Sequence, residues 1–344
     1  MAQYDGLFDG LGLRDWCDAD KQDAPMSMAQ LLAQSGASDS TEEGGGLPFP
    51  SLDALHESCA AVPQTRDLTA GIEAGFLAIR AELKFVLDPI TQPLSWMLDG
   101  ALWVFESAPW WVMIPALLAL TYWVSRSRPV TGFVALVLLF FGLIDHYEVA
   151  MQTLAIVFVC TGLSVVLGVP IGIGMSKSDT AQRTIVPILD LLQTLPTFVY
   201  LIPLIFLFSV TESKLYGIAI ILYAIVPVIR LTDLGIRLVD KDVIEAANAF
   251  GLTAWQKLAR VELPLALPNI MAGVNQTIMM SLAMVVIASL VSAPGLGVLV
   301  LRGIRNLELG VGIVAGLGIV LLAVILDRVS KAALARVDTQ RKDA

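Results

Sequence analysis

The stretch IEAANAFGLTAWQKLARVELP, residues 244–264, is a charged interruption between two long apolar segments of an otherwise apolar chain. Just ahead of it, Val243, Ala246, Ala247 and Phe250 fall at i, i+3, i+4, i+7 spacing, which predicts a short helix over 241–250. Gly251 then supplies a stop that tolerates positive φ. Thr253 is placed to cap a second helix, TAWQKLARVEL, which runs into Pro264, a residue that an α-helix interior does not accommodate. Two short helices meeting at a bend make a knob. Ala246 and Ala247 are small enough for a facing backbone to come close, and Glu245 offers a carboxylate for charge-assisted hydrogen bonds to a partner. A Glu-Ala-Ala triplet alone would say little, because the tripeptide is common; its place in a loop between two apolar segments gives it weight.

Composition sets the class. The mean hydropathy is +0.74 and only 15% of the 344 residues are charged, against about a quarter in an ordinary soluble domain. Runs near 109–124, 129–144, 149–174, 185–208, 215–230, 270–291 and 310–326 approach the roughly twenty residues that cross a bilayer. The expectation is an all-α polytopic membrane protein with about seven transmembrane helices. Orientation follows from Lys and Arg. The loops after odd-numbered spans, with the C-terminal segment, carry 14 of them and the opposite loops only Lys214, Arg302 and Arg305. That asymmetry puts the 231–268 loop and the C-terminal residues 331–344 in the cytoplasm and the N-terminus in the periplasm. A cytoplasmic N-terminal tail with one extra span is the competing topology.

The first 108 residues differ from the rest, with 17 acidic and 5 basic side chains against 14 and 17 afterwards. Residues 1–66 mix Asp, Ser, Gly and Pro, a composition that predicts disorder. The start MAQYDGLFDG is acidic and lacks a basic region before an apolar core, so no signal peptide is expected there. Over 67–108 two apolar stripes, Leu68 to Val86 and Leu94 to Phe105, are interrupted by charges, and Pro89 is expected to end the first. The pattern predicts amphipathic helices lying along the bilayer surface or the rest of the protein, with Trp96, Trp103, Trp110 and Trp111 as interfacial anchors. Residues 109–330 form the transmembrane domain.

No site of metal or enzyme chemistry emerges. His56 and His146 lack partners at metal-ligand spacing, Cys160 reads as packing, and Cys17 and Cys59 could pair only if the tail lies outside. The run Gly172 to Ser178 has Ser176 where a phosphate loop needs Gly before its Lys, so it reads as a helix ending in a turn.

The loop resembles the EAA signature of ABC importer permeases: Glu-Ala-Ala, three residues, Gly, nine residues, an aliphatic residue, one more, then Leu-Pro. All fixed positions match, with Val261 where Ile is commoner. Three longer runs, LDLLQTLPTFVYLIP (189–203), 244–277 and MVVIASLVSAPGLGVLVLRGI (284–304), are similar to the permease subunit of glycine betaine/proline betaine importers, whose relatives carry choline, carnitine, dimethylsulfoniopropionate or trimethylamine N-oxide. The resemblance covers roughly residues 90–330. It implies a type I ABC importer permease fold, with a second copy of the chain, two cytoplasmic ATP-binding subunits and a periplasmic substrate-binding protein as partners in the bilayer, and no nucleic acid. It also implies that this chain is no enzyme and holds no cofactor of its own; ATP and Mg would sit on the separate ATPase. Glu245, Ala246, Ala247, Gly251, Val261, Leu263 and Pro264 would couple that ATPase to alternating access in the membrane.

Polar groups inside membrane helices face the bundle or a water-filled path. Asp190, Gln193, Thr194, Thr197 and Tyr200 on the fourth span, and Asn275, Gln276 and Thr277 on the sixth, are therefore candidates for the translocation path. Interhelical hydrogen bonding is the competing reading. Phe198, Tyr200 and Tyr223 could offer a passing quaternary ammonium a weak cation–π surface, with core packing as the alternative. Gly168–Gly172 and Gly312–Gly316 have small-residue spacing suited to close helix contact. An ion-coupled secondary transporter, or a membrane scaffold for a soluble complex, are the readings from other classes. The first lacks an internal repeat and a mid-membrane charge pair; the second predicts no flux.

Overall fold

The structure, a computed structural model, describes residues 10–12 and 65–342, with side chains for 10–12 and 69–336. The expectations for residues 1–9 and 13–64, including Cys17, Cys59 and His56, lie outside the described residues. Residues 1–81 and 82–344 form two separate units, and every element discussed below belongs to the second unless stated.

Among the described residues all regular structure is helical. Helix α1 spans Thr65–Ser107 and crosses from the first unit into the second; α2 is Trp110–Ser125, α3 Arg128–Leu143, α4 Tyr147–Lys177 and α5 Asp179–Thr194. A 3-10 turn, Thr197–Tyr200, leads into α6, Leu201–Leu207, followed by α7, Ser213–Arg237. The loop helices are α8, Lys241–Ala249, and α9, Ala254–Lys257, and a π turn, Leu258–Glu262, joins α9 to α10, Leu263–Ala288. Helices α11, Leu296–Arg305, and α12, Leu309–Lys342, complete the chain.

Each of the seven apolar runs lies on a helix or a bent pair of helices, but their lengths differ. Among the described residues four helices are long and apolar enough to cross a bilayer: Tyr147–Lys177, Ser213–Arg237, Ala254–Val291 and Leu309–Arg336. Two more candidates are bent pairs, Thr69–Ser107 with Trp110–Ser125 at 117° and Asp179–Thr194 with Thr197–Leu207 at 105°, and Arg128–Leu143 is a shorter apolar helix. The 185–208 run is thus no straight span. Pro196 explains the break, since the residue before a proline is driven out of the helical region, and Leu195 sits at φ −65°, ψ 134°.

Helix α7 is the centre of the bundle, packed chiefly against α10 and α4. Close approach requires glycine at the contacts. A Cβ on Gly168 would stand 2.5 Å from Val228 Cγ1, and one on Gly172 2.6 Å from the Ile229 carbonyl oxygen; on the other side, one on Gly273 would lie 3.0 Å from Val228 Cα. The Gly168–Gly172 expectation therefore holds as helix packing. Of the second pair, Gly312 touches Gly303 of α11 backbone to backbone, whereas Gly316 faces open space.

Two proline expectations are corrected. Helix α1 does not end at Pro89 but runs on through Pro89 and Pro93. Both prolines lie on its exposed face, where freed carbonyls need no protein partner, while the opposite face is held by tertiary packing. Leu94 and Leu98 are buried there, and their side chains close over Gly217 of α7. Nor does the helix starting at Ala254 stop at Pro264. The π turn intervenes, with the Leu263 N–H donating to the Leu258 carbonyl five residues back, and Pro264 falls in the first turn of α10. The wider π turn just before it accommodates the proline, whose missing N–H would otherwise break the ladder.

Candidate functional site

The knob over 241–264 forms as its sequence dictates. Asp240 caps α8, its carboxylate accepting from the Asp242 N–H at 2.9 Å. The helix closes when the Gly251 N–H reaches the Asn248 carbonyl at 2.9 Å and the Leu252 N–H the Ala247 carbonyl at 3.2 Å, with Gly251 at φ +73°. That left-handed conformation is strained for any residue with a Cβ and is the helix end that favours glycine. Thr253 and Gln256 then form a reciprocal capping box on α9, at 3.3 Å and 3.0 Å. Lys257 Nζ donates to Asn248 Oδ1 at 3.0 Å, so the two short helices are bonded to each other.

The signature residues divide by exposure. Ala247 is buried, whereas Glu245, Ala246 and Gly251 are exposed. Around them Val243, Phe250 and Trp255 also face outward, Phe250 at 87% and Trp255 at 73% exposure. A polar loop that leaves its two aromatics uncovered presents a contact surface, since exposed apolar clusters rimmed by polar groups mark interaction sites. Val261, Leu263 and Pro264 are half-buried beneath, where Leu258, Ala266 and Ile270 pack with Ile236 of α7.

The candidate path residues are not brought together as one lining. Asp190 and Arg230 pair across α5 and α7. Gln193 and Thr194 are exposed on the last turn of α5, and Thr194 Oγ1 bonds its own helix at the Leu191 carbonyl, 3.3 Å. Thr197 is half-buried in the 3-10 turn and Tyr200 is buried. On α10, Asn275 donates to Asp327 at 2.7 Å and accepts from Ser330 at 3.1 Å, which makes it a bond to α12. Gln276 is exposed and borders a groove of about 550 Å³ with Met271, Met279, Met280 and Ser330. Thr277 is fully buried, one helical turn from Ser281, which accepts from Thr161 of α4 at 3.1 Å. Of the aromatics, Phe198 is exposed and Tyr223 half-buried.

Sequence reading missed the pairing of charges at the helix ends next to the knob. Arg237, counted only as a loop charge, ends α7 and binds three things: Asp233 at 2.9 Å, Asp179 of α5 at 2.8 Å and the Met175 carbonyl of α4 at 2.8 Å. Asp233 also accepts from Gln182 at 2.7 Å. Lys177, the last residue of α4, pairs with Glu262 of the π turn. The one local signal for these roles was that each charge lies on the border of an apolar run. Among the described residues no group of His, Cys, Asp and Glu could hold a metal ion, and Cys160 is a buried thiol.

Residues 164–339, which include the knob and both helices flanking it, match the family model described as the binding-protein-dependent transport system inner membrane component. The chain belongs to this family. Among curated relatives of this permease subunit, the glycine betaine/carnitine transport permease protein GbuB of Listeria monocytogenes is 41% identical over 247 residues, covering 71% of this chain and 87% of its own. The glycine betaine/proline betaine permease ProW of Escherichia coli is 41% identical over 288 residues, covering 83% and 78%. Of solved structures, a chain of the MetNI methionine ABC transporter in inward-facing conformations aligns at TM-score 0.50 and 21% identity, over 61% of this chain and 99% of that one. The permease therefore has the fold expected of it, an all-α polytopic membrane protein built as an ABC importer subunit.

Proposed function

We propose that this permease carries glycine betaine or a related methylated osmolyte inward across the cell inner membrane, driven by ATP. In the assembly two copies of the chain span the bilayer, two cytoplasmic ATP-binding subunits hydrolyse the nucleotide, and a periplasmic binding protein delivers the solute. The observation that carries this reading is the knob. The EAA spacing folds into a bonded helix pair, capped at both helices, with Glu245, Ala246, Phe250 and Trp255 exposed for a partner. The names of GbuB and ProW support the substrate class.

Glu245, Ala246, Ala247 and Gly251 dock in the ATPase, and Leu263 with Pro264 pass the movement into α10. Such an input works only when the membrane part has two packed states that ATP binding favours differently. The Lys and Arg asymmetry orients the knob and the C-terminal residues toward the cytoplasm and the N-terminus toward the periplasm. Labelled glycine betaine uptake tests the reading in cells without their own osmolyte importers that express this chain with its neighbouring ATPase and binding-protein genes. Uptake requiring all three components, and competed by unlabelled methylated osmolytes, is the expected result. Absence of uptake of betaine and of its methylated competitors removes the substrate class.

A further inference from the structure

Glu262 is 4% exposed, on the π turn that ends the knob and leads into α10, and Leu258 of the same turn packs with Ala266, Ile270 and Ile236. Its ion-pair partner is Lys177, 85 residues earlier, on the last turn of α4. Next to this pair, Arg237 holds Met175 of α4 and Asp179 of α5 to the end of α7, and Gln182 of α5 reaches Asp233. The inner ends of four elements are thus joined by charge above an apolar cluster that includes Val169 and Ile173 of α4.

We propose that Glu262 and Lys177 are positioning residues that carry the stroke of the knob into the α4–α5 turn, an output beside the covalent ones into α7 and, through Leu263 and Pro264, into α10. A buried carboxylate is costly to leave unpaired, so the pair resists separation while its surroundings move. The turn it drives begins α5, the first half of the bent span that carries Asp190. The chain itself ties the knob to α7 on one side and to α10 on the other; this pair adds a direct link from the π turn to the end of α4 and so to the turn into α5. The inference rests on the knob being the ATPase contact.

The test uses the whole transporter, permease with its ATPase and binding protein, in proteoliposomes, with labelled glycine betaine as probe. Lys177→Met and Glu262→Gln should assemble and hydrolyse ATP at the basal rate. Stimulation by the loaded binding protein, and solute moved per ATP, should each fall at least about fivefold, the low end of ordinary coupling energies. The exchange of charges, Lys177→Glu with Glu262→Lys, should recover both. Single variants that remain as tightly coupled as wild type overturn the proposal. If a single variant fails to assemble, a Lys177→Cys, Glu262→Cys chain bridged by a bifunctional thiol reagent decides: two residues that move as one body tolerate the bridge, and arrest of transport by it overturns the proposal. Should wild type move no betaine, the substrate reading fails, and stimulation of ATP hydrolysis by the binding protein still reads the pair, because it needs no flux.

Discussion

The ammonium of Lys214, at the start of α7, lies 2.7 Å from the carboxylate of Asp88 on α1, across 126 residues of sequence. The lysine is buried, with Glu212 at 2.8 Å as its second carboxylate and the Phe208 ring 5.0 Å away. Charge, ring and the Leu94–Leu98 contact on Gly217 together fix residues 82–107 to the bundle. Lys214→Met should therefore cost about 1–3 kcal/mol, less than a fully buried pair because both carboxylates keep some water. Melting of the detergent-solubilised protein, with proteolysis of the segment near Asp88, checks this; an unchanged melting temperature would show the cluster to be incidental.

The same cluster has a pH signature. Burial by itself would raise the Glu212 carboxyl, but the hydrogen bonds from Lys214 and the Ser209 N–H, and the charges of Lys214 and Lys84, outweigh it and hold it below its ordinary 4.5. A lowered folded-state value contributes stability above the unfolded value and loses it as pH falls through the folded one. The stability gap between wild type and Glu212→Gln should be full above about pH 5, shrink below it, and close in stronger acid. A gap independent of pH would remove Glu212 from the cluster's energetics.

Packing around α7 makes a sharper prediction. Gly172→Ala would put a methyl 2.6 Å from a backbone carbonyl and from Thr232 Cβ, neither of which is a flexible chain end. Overpacking of this kind costs about 1–3 kcal/mol. Two residues on, Gly174 has nothing within 4 Å, so Gly174→Ala should be neutral or slightly stabilising through helix propensity. The pair, compared by folded yield and melting temperature, separates helix contact from a general dislike of larger residues in α4.

At the knob, Glu245→Lys should leave the membrane part assembled, because the side chain is exposed, and abolish transport by reversing a charge on the proposed docking face. If the knob docks on the ATPase as proposed, Phe250→Ser should weaken ATPase binding, because its ring is exposed on that surface. Co-purification of the ATPase with each variant reads the docking, and labelled uptake the transport. Unimpaired uptake by Glu245→Lys would sink the docking role.

What the sequence disclosed and what it hid divide along locality. Helix runs, the Gly251 turn, the Thr253 cap and the Gly168–Gly172 contact are written within a few residues of where they act. The break at Leu195 was also local, in Pro196, but hydropathy averaged over a span conceals it. Hidden features are the non-local ones. Lys177 finds Glu262, Asn275 finds Asp327 and Lys214 finds Asp88 only after the helices pack. Each looked like a loop charge or a generic polar group in a membrane helix. Pro89 and Pro264 misled because tertiary packing in one case and a π turn in the other absorbed a local break signal.

Asp190 and Arg230 give the last test. They pair between α5 and α7, yet both side chains are more than a third exposed on the single chain. Charges on helices that cross a bilayer do not face lipid; they face an aqueous path or another protein surface. An exposed pair contributes at most about 1 kcal/mol to folding, so Asp190→Asn should barely shift the melting temperature. If the pair lines the path, the same change alters the barrier to solute movement, and about 1.4 kcal/mol there slows transport about tenfold. Loss of uptake without loss of stability, recovered by exchanging the two charges, would place the pair on the path. Loss of both together would make it a structural bond like the one Asn275 forms with Asp327.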